Sequence, residues 1–451
     1  MMLARDGHAV TVLERDPQPP PESAEEAWRA WPRAGVSQFH QPHLVQPGGH
    51  MALGEELPDV LAAILVAGGA RFDHLRVLPP SLDDHAPRAG DERFVSLAAR
   101  RPVLEQAIAR AAAREPGLDI RRGVAVAGLQ LRHDARPPHV TGVGTTAGEV
   151  LAADLVVDAM GRRSPLPAWL QESGIAPIHE EFEDAGFIYY TQYFRSPDAW
   201  PETRGPLLSA FGSFSVLTLP ADSGTWSVTV LIATGDRPLK RLRHRDRFQA
   251  VVAACPQFAH WLHGDEITGV LSLSGVLDRH RRLAIDGRPP VTGVALLADS
   301  AACTNPSVGR GISLGLEHAQ RLRDVVCEHG EDPLGFAQAW DEVSEAELTP
   351  WYREQVSEDR TRVRQMQAVR DGRPPDPPRT DEELLTAALL AGVAHDADLF
   401  RAFMETRCSI TTLADVLARP GLADRIHEAA AGRELTPPPG PDREQLLALL
   451  A

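Results

Sequence analysis

Short apolar runs, each followed by an acidic residue, recur along the chain. The first sixteen residues predict the end of an apolar helix, a turn at Gly7 and a buried strand over residues 9–13. Two more apolar runs, over residues 155–157 and 294–298, predict strands that also end beside an acidic side chain. Strands of this kind, separated by helical segments, are typical of α/β folds that bind ligands at the carboxyl ends of their strands.

Aromatic and β-branched residues dominate the middle of the chain. Residues 187–233 contain three such runs separated by turn residues, which predicts a half-buried antiparallel sheet. Shorter alternating segments over residues 118–150 predict a meander of antiparallel strands. Beyond residue 349 the chain becomes helical and charged, and a Pro-rich spacer occupies residues 370–379. Six aromatic residues of the middle region either line an apolar pocket or fill the core: Phe187, Tyr189, Tyr190, Tyr193, Phe211 and Phe214.

The first predicted strand ends at Glu14. In a dinucleotide-binding fold an acid at this point holds the adenosine ribose, and a glycine-rich phosphate turn lies about 20 residues earlier. Only thirteen residues precede Glu14. We therefore expect the first strand and its glycine turn to lie upstream of Met1. The alternative is an ordinary surface helix followed by a strand that ends in Glu.

The most specific segment is LLADSAACTNPSVGRGISLGL, residues 296–316. A predicted strand delivers Asp299 to its carboxyl end, and a loop through Pro306, Gly309 and Gly311 leads into a helix. Unpaired amides at a helix N-terminus and the helix dipole both favour an electron-rich or anionic group. The segment therefore predicts a ligand site, whereas a strand-to-helix loop without a ligand is the alternative.

This order of strand, Asp, Pro, Gly-x-Gly and helix resembles the second FAD motif of the p-hydroxybenzoate hydroxylase-like flavoproteins, the group A flavoprotein monooxygenases. The resemblance implies that Asp299 holds the ribityl chain, and that Pro306, Gly309 and Gly311 lie against the flavin ring. Three positions depart from the family pattern, which has Gly, His and Asn where this chain has Ala298, Ala302 and Ser313.

Two further segments resemble motifs of the same family. ADLVVDAMGRRSPL, residues 153–166, is similar to its middle motif, which implies that Asp158 and Gly161 support the cofactor. RPVLE, which opens a predicted helix at Arg101, is similar to the family's R-x-x-L-E, whose arginine approaches the FAD pyrophosphate or ribose. A capped strand-end turn and a charge-capped surface helix would show the same two patterns.

Segments in the N-terminal part of the chain also resemble the family, and they occur in the family's order along the sequence. By the same resemblance, Glu14 and Arg15 belong to the cofactor-binding residues. Residues 37–49 resemble the loop that runs beside the flavin, which implies that His40 and His43 lie near the active site. Solvated loop histidines are the alternative. No side chain is assigned as a catalytic base, and no metal site is expected.

The expected architecture is an α/β fold with a Rossmann-like FAD-binding domain, N-terminally truncated, an interleaved antiparallel β-sheet domain for the substrate, and a helical C-terminal region. We expect residues 1–70, 96–175 and 281–345 to form the discontinuous FAD-binding domain. Residues 71–95 and 176–280 are expected to form the substrate-binding sheet domain. The helical region is expected over residues 346–451.

The composition of the chain limits the classes of molecule that it is expected to bind. The formal net charge of −16 disfavours non-specific binding to nucleic acid or to an anionic membrane surface. The 4 cysteines are far apart and form no C-x-x-C pair, which indicates reduced thiols rather than a disulfide framework or a zinc site. No apolar run is long enough to span a membrane and no signal peptide is evident. We therefore expect a cytoplasmic protein with a small-molecule substrate.

The resemblance implies an FAD-dependent monooxygenase that oxygenates a small apolar or aromatic organic substrate, with NAD(P)H as a transient reductant. Two alternatives stay open. The first is a flavin-dependent reductase, dehydrogenase or halogenase of the same fold. The second is a non-enzymatic remnant that binds FAD poorly. The sequence does not identify the substrate or the oligomeric state.

Overall fold

The structure of the protein is a computed structural model that describes residues 1–76, 78–197, 199–374, 376–435 and 437–451. Its α-helices are α1 Met2–Arg5, α2 Ala24–Ala30, α3 Pro47–Glu56, α4 Pro58–Val66, α5 Arg101–Ala112, α6 Leu166–Glu172, α7 Arg245–Ala253, α8 Gly311–His329, α9 Pro333–Glu347, α10 Thr349–Arg370, α11 Asp381–Gly392, α12 Ala397–Arg407, α13 Leu413–Leu417, α14 Leu422–Ala430 and α15 Arg443–Leu450.

The strands are mostly short. They are β1 Val10–Glu14, β2 Leu44–Val45, β3 Ala70–Asp73, β4 Val95–Ala98, β5 Leu118–Arg122, β6 Val126–Arg132, β7 His139–Thr145, β8 Val150–Ala152, β9 Val156–Asp158, β10 His179–Asp184, β11 Phe187–Arg195, β12 Leu208–Ala210, β13 Phe214–Pro220, β14 Thr225–Ala233, β15 Asp265–Glu266, β16 Leu271–Leu273, β17 Leu277–Arg282, β18 Val294–Leu296 and β19 Ala302–Cys303. The mixed α/β class expected from the sequence is confirmed.

Two pairs of parallel strands carry the acidic residues singled out above. β1 pairs with β5, with Glu14 opposite Arg122. β18 pairs with β9, with Leu296 opposite Asp158. The expectation that residues 118–150 form one meander is wrong in its first part, because β5 joins β1 and only β6, β7 and β8 form an antiparallel sheet. Alternating hydrophobicity marks a half-buried strand but does not specify its partner.

The middle of the chain forms a six-stranded sheet of order β12-β13-β14-β11-β15, with β16 also paired to β11. All nine residues of β14 are buried. Helices α7 and α15 cover one face, where Tyr190 and Phe194 lie. On the other face, Phe187 and Tyr189 pack against Met366 of α10. The sheet is therefore buried on both faces rather than half-buried as predicted.

A three-stranded sheet of order β10-β17-β19 links this middle region to the loop that follows Asp299. Its central strand, β17, pairs with β19 so that Arg279 lies opposite Cys303. On the other side, β17 pairs along its whole length with β10. The loop after Asp299 is thus anchored to a strand of the middle region.

The C-terminal region is helical, as expected. The Asp396 side chain caps α12 by accepting hydrogen bonds from the N–H groups of Asp398 and Leu399. Helices α11, α12 and α14 share a small core of Leu389, Leu399 and Ile426. Within the described ranges, none of the helices combines the length and apolar character that a membrane crossing requires. All four cysteines are free.

Candidate functional site

The turn that carries Asp299 is tied to the middle motif. β18 leads into a short 3-10 turn, Ala298–Ser300, at the carboxyl end of the strand. The Ser300 hydroxyl accepts a hydrogen bond from the N–H of Leu297 at 2.9 Å and donates one to the backbone oxygen of Asp158. The Asp158 carboxylate in turn accepts from the Ser164 hydroxyl at 2.5 Å. The two sequence motifs therefore meet.

Glycines leave space around the Asp299 side chain. A Cβ atom added at Gly161, whose φ is +73°, would lie 3.7 Å from the Cβ of Asp299. A Cβ atom added at Gly311 would lie 3.8 Å from Asp299 Oδ1. Side chains larger than alanine at either position would extend into the volume beside the carboxyl group. Both glycines therefore lie directly beside the Asp299 side chain.

The surroundings of Asp299 are basic. Burial raises the pKa of Asp299, while the Arg101 and Arg162 guanidiniums and the Cys303 thiol lower it. Burial raises the pKa of Cys303 well above its usual value, and the Asp299 charge adds to this effect. Cys303 is therefore a protonated thiol that donates to Asp299, and it has none of the thiolate character that a nucleophile needs.

The loop from Pro306 to Gly311 packs closely against the N-terminal loop. Gly309 adopts a φ of +75°, which a glycine tolerates without strain. Gln46 Nε2 donates to the carbonyl oxygen of Val308 at 2.8 Å. A Cβ atom at Gly49 would lie only 2.6 Å from the Cα of Ser313, so α3 and α8 meet through the missing side chain. These contacts fix the entry into α8.

His43 and Arg101 form a directional pair at the start of α5. His43 Nδ1 lies 2.8 Å from the carbonyl oxygen of Gln41, to which only a protonated nitrogen can donate. Its Nε2 lies 3.1 Å from Arg101 Nη1 and accepts from it. Burial and the Arg101 charge lower the pKa of His43 to about 3. His43 is therefore neutral and holds the guanidinium of Arg101.

A chain of ion pairs joins Glu14 to this pair. Glu14 Oε2 accepts from Arg33 at 2.9 Å, and Arg33 also lies 3.2 Å from Glu105. Glu105 then accepts from Arg101 at 2.6 Å. Arg15 is exposed, and its guanidinium runs beside Gly35, where an added Cβ would lie 2.9 Å from Nη2. The N-terminal strand is thus connected to the Asp299 side of the site through α5.

His40 lies apart from this chain. Its Nε2 is 2.9 Å from the carbonyl oxygen of Trp28. The ring makes edge contacts with Trp28 and Phe39, and Trp28 in turn contacts Tyr193 of β11 at 4.9 Å between ring centroids. Another β11 side chain, Thr191, donates to Gln41 Oε1 at 3.3 Å. Strand β11 therefore covers the loop that carries both histidines.

A buried acidic cluster lies behind the loop that follows Asp299. The N–H of Asn305 donates to Asp278 at 2.5 Å, and its amide nitrogen donates to Asp359 at 2.9 Å. The Tyr189 hydroxyl donates to Asn305 Oδ1, and Gln355 Nε2 donates to Asp359 at 2.9 Å. Burial raises the pKa of both carboxyl groups, and their mutual repulsion raises that of Asp359 further. The pair therefore holds a proton.

The structure brings Asp158, Gly161, Asp299, Gly311 and the Arg101–His43 pair together. Sequence-based reasoning did not select Arg33, because nothing near it marks a site. It also missed Asp359, although Gln355 and Asp359 are polar residues spaced four apart on one helix and both are buried. The six aromatic residues considered for a pocket are all buried in the core.

The comparisons with known proteins agree with this geometry. No family model matches the chain. Protein Rv3254 of Mycobacterium tuberculosis is 25% identical over 348 residues, which cover 70% of this chain and 67% of that protein. The solved structure of PqsL, a probable FAD-dependent monooxygenase from Pseudomonas aeruginosa, matches with a TM-score of 0.59 and 17% identity, over 82% of this chain and 94% of the other.

A variant of 2-methyl-3-hydroxypyridine-5-carboxylic acid oxygenase also matches, with a TM-score of 0.52 and 15% identity over 82% of this chain and 87% of that one. The chain has the fold of the FAD-dependent monooxygenases. The family resemblance found in the sequence is thereby confirmed at the level of the fold. In this chain the motifs around Asp158 and Asp299 lie together at the carboxyl ends of the paired parallel strands β9 and β18.

Proposed function

We propose that the protein is an FAD-dependent monooxygenase that acts on a small apolar or aromatic organic substrate, with NAD(P)H as the reductant. One observation carries the proposal. Two segments that resemble flavin motifs, one with Asp158 and Gly161 and the other with Asp299 and Gly311, meet in a fold shared with FAD-dependent monooxygenases. Their meeting supports a common ligand because the two segments are more than 100 residues apart in sequence.

The residues fit the cofactor. Asp299 would accept hydrogen bonds from the ribityl hydroxyls, in the space that Gly161 and Gly311 leave open. Backbone groups of Pro306, Gly309 and Gly311 would face the isoalloxazine ring. The amides at the start of α8 suit an electron-rich ring edge.

The adenosine half of FAD would lie along the ion pairs that connect Glu14 to Arg101. Arg101 would approach the pyrophosphate or ribose, held in place by the neutral His43 and by Glu105. Glu14 would bind the ribose hydroxyls. Its carboxylate accepts one hydrogen bond at each oxygen in the protein, from Arg33 and from the N–H of Asp16. A carboxylate has about four acceptor positions, so capacity remains for two hydroxyls.

The protein's own contribution is orientation and the exclusion of water. Bound FAD, once reduced, supplies the reaction with dioxygen that transfers an oxygen atom to the substrate. Strand β11 lies over the loop of residues 41–46 through Thr191 and contacts Asn305 through Tyr189. The sheet packs against both of these loops and would help to exclude water from the site. Asp158, with Gly161, supports the turn that faces Asp299.

The proposed substrate class is supported by compounds named for the relatives. PqsL has been solved in complex with 2-aminobenzoylacetate, and another structure of this fold is an oxygenase of a hydroxypyridine carboxylic acid. Both compounds are small aromatic acids. We extend this class to the present protein, and the basic Arg162 near Asp299 is consistent with an acidic substituent.

The proposal is tested with the full chain loaded with FAD. We expect NADPH or NADH oxidation to accelerate when a small aromatic acid is added, and one atom of labelled dioxygen to appear in the product. Substrate-stimulated electron transfer to a dye without oxygen incorporation would favour the dehydrogenase alternative. Halide-dependent halogenation would favour a halogenase. Failure to bind FAD at micromolar concentrations would favour the non-enzymatic remnant.

A further inference from the structure

Three metal-ligating side chains meet on the β10–β17 strand pair. His179 and Glu181 are two residues apart on β10 and so point to the same face. His280 on β17 lies directly opposite Glu181 in the antiparallel register. The ligand atoms of the three side chains all lie within 4.8 Å of one another. We propose that His179, Glu181 and His280 bind one divalent transition-metal ion of the zinc class.

The hydrogen bonds of His280 leave one ring nitrogen free. Its Nε2 lies 2.9 Å from the Thr349 hydroxyl, which itself donates to Glu345 at 2.9 Å. Because the single Thr349 proton goes to Glu345, His280 Nε2 must carry a proton and donate. In the neutral ring Nδ1 is then a bare acceptor. Among the described residues this nitrogen has no hydrogen-bond partner, and His280 is only 4% exposed.

The unprotonated Nδ1 atom of His280 faces another hydrogen-bond acceptor, the carboxylate of Glu181. Glu181 Oε1 lies 3.3 Å from it. Two lone pairs at this distance repel each other unless a cation lies between them. A metal ion bound to neutral imidazole and carboxylate satisfies both atoms.

The distances suit tetrahedral coordination. Ligand atoms about 2.0–2.2 Å from a zinc ion are about 3.3–3.6 Å apart at the edges of a tetrahedron. The separation of 3.3 Å between Glu181 and His280 already matches such an edge. His179 Nε2 lies 4.0 Å from Glu181 Oε1, and its side chain is 52% exposed, so a small rotation closes the site. Solvent would take the fourth position.

The arginines near the cluster are paired with carboxylates. Glu180, which points to the other face of β10, binds Arg281 at 2.8 Å and Arg279 at 3.4 Å, so these arginines are held on the other side of the strand pair. Arg282 lies opposite His179 and shares the face of the cluster, where it pairs with Asp341 at 2.6 Å and with Glu345 at 3.0 Å. Tyr352 stacks on the His280 ring at 5.1 Å between ring centroids.

Two imidazoles and one carboxylate form a donor set that suits zinc and related ions. The Thr349 hydroxyl, by fixing the His280 tautomer, provides the outer hydrogen bond that ligating histidines usually make. An ion at this point would hold the edge strand β10 against β17. Strand β17 also pairs with β19, in the loop after Asp299. The inference is independent of the proposed flavin chemistry.

The test is zinc binding to the full, chelator-treated chain, measured by titration calorimetry and by metal analysis after gel filtration. We expect one Zn²⁺ per chain that is lost in the double variant His179→Ala/Glu181→Gln. Each single variant should weaken binding at least about tenfold, and Thr349→Val about tenfold to a hundredfold, because it releases the His280 tautomer. His133→Ala, which removes an exposed histidine outside the cluster, is the matched control.

Co²⁺ provides a second readout, since tetrahedral coordination gives intense visible absorption that the cluster variants should abolish. All the substituted ligands on β10 are exposed, so loss of folding is not expected to obscure the result. Stoichiometric zinc binding that the cluster variants leave unchanged would overturn the proposal, because the ion would then occupy another site. The absence of zinc binding at millimolar metal would overturn it as well.

Discussion

The turn before Asp299 contains a residue in an unfavourable backbone conformation. Ala298 has a φ of +54°, in the left-handed region where a Cβ atom costs about 1–2 kcal/mol. Its N–H donates to His318 Nδ1 at 3.1 Å, and the His318 ring stacks on Trp340 at 4.2 Å. The surrounding contacts therefore hold a conformation that alanine by itself disfavours, at a position where the related family has glycine.

Ala298→Gly should raise the free energy of unfolding by about 0.5–1 kcal/mol, since relief of the left-handed strain exceeds the added entropy of the unfolded chain. Chemical denaturation measures the change. The control is Ala301→Gly, at a nearby residue with a φ of −88°, which should destabilise the protein. If both substitutions destabilised equally, strain at Ala298 would not be the cause.

The proposed FAD site depends more on the Asp299 carboxylate than on any other side chain. Asp299→Asn should weaken FAD binding about tenfold to a hundredfold, because a hydrogen bond to a charged group contributes about 1.5–3 kcal/mol. Titration of flavin fluorescence gives the affinity. Asp154→Asn, at an exposed aspartate just before β9, serves as the control and should bind FAD like the unchanged protein. Equal affinities would contradict the role assigned to Asp299.

At the scale of elements, β17 and α10 meet through the Asp278–Asp359 pair. Both carboxyl groups have pKa values that burial raises above those of the unfolded chain. Groups of this kind contribute stability that is fully present below the unfolded pKa and is lost as the pH rises through the folded pKa. The junction between β17 and α10 should therefore weaken as the pH rises above the ordinary aspartate value of 3.8 and passes the folded pKa values of about 6 for Asp278 and about 8 for Asp359.

Asp359→Asn should remove this dependence. The asparagine oxygen can still accept from Asn305 and Gln355, while its amide nitrogen can donate to the neighbouring Asp278 carboxylate. We expect the variant to gain stability relative to the unchanged protein between about pH 5 and about pH 9, measured as thermal midpoints. Parallel midpoint curves for the two proteins across this range would show that the pair holds no proton.

At acidic pH the stability of the protein depends on a different set of groups, three buried histidines. Burial lowers the pKa of His43 to about 3, of His74 to about 4 and of His318 to about 3. Their stabilising effect is present above the ordinary histidine value of 6.5 and is lost as the pH falls toward these values. Because Asp359→Asn leaves these histidines in place, the comparison between variant and parent isolates the alkaline effect.

At the scale of the whole molecule, the last helix completes the core of the middle sheet. Leu446 and Leu450 of α15 are each 1% exposed and belong to the same cluster as Tyr190, Phe194 and other sheet residues. Arg443 at the start of the helix pairs with Asp236 at 2.6 Å. A segment more than 200 residues distant in sequence thus covers one face of the sheet, which explains why that sheet is buried on both sides.

Leu450→Ala should lower the free energy of unfolding by about 2–5 kcal/mol through loss of buried surface and formation of a cavity. Leu447→Ala provides a matched control, since Leu447 lies on the same helix but is 36% exposed, and it should change stability by less than about 1 kcal/mol. Denaturant midpoints distinguish the two. Similar small effects would mean that α15 contributes little to the core in solution.

The sequence by itself determined the local features of the protein. The strands that end at Glu14 and Asp158, the strand that leads into the turn of Asp299, and the helices that start at Arg101 and Gly311 all follow from the local spacing of hydrophobic residues and from turn residues. Their order along the chain was sufficient to predict the fold class and the flavin motifs. These features depend on residues within one element or its flanking turn, so no knowledge of distant neighbours was needed.

The tertiary structure alone decided which distant residues meet. Glu181 and His280 are neighbours only because β10 and β17 pair in one register, and Asp278 reaches Asp359 only because α10 packs behind the sheet. The partner of β5 and the helices that cover both faces of the middle sheet were likewise not encoded in local pattern. Each strand could pair, and each helix could pack, with several partners that its local sequence allows. Which partner it contacts depends on the free energy of the whole folded chain.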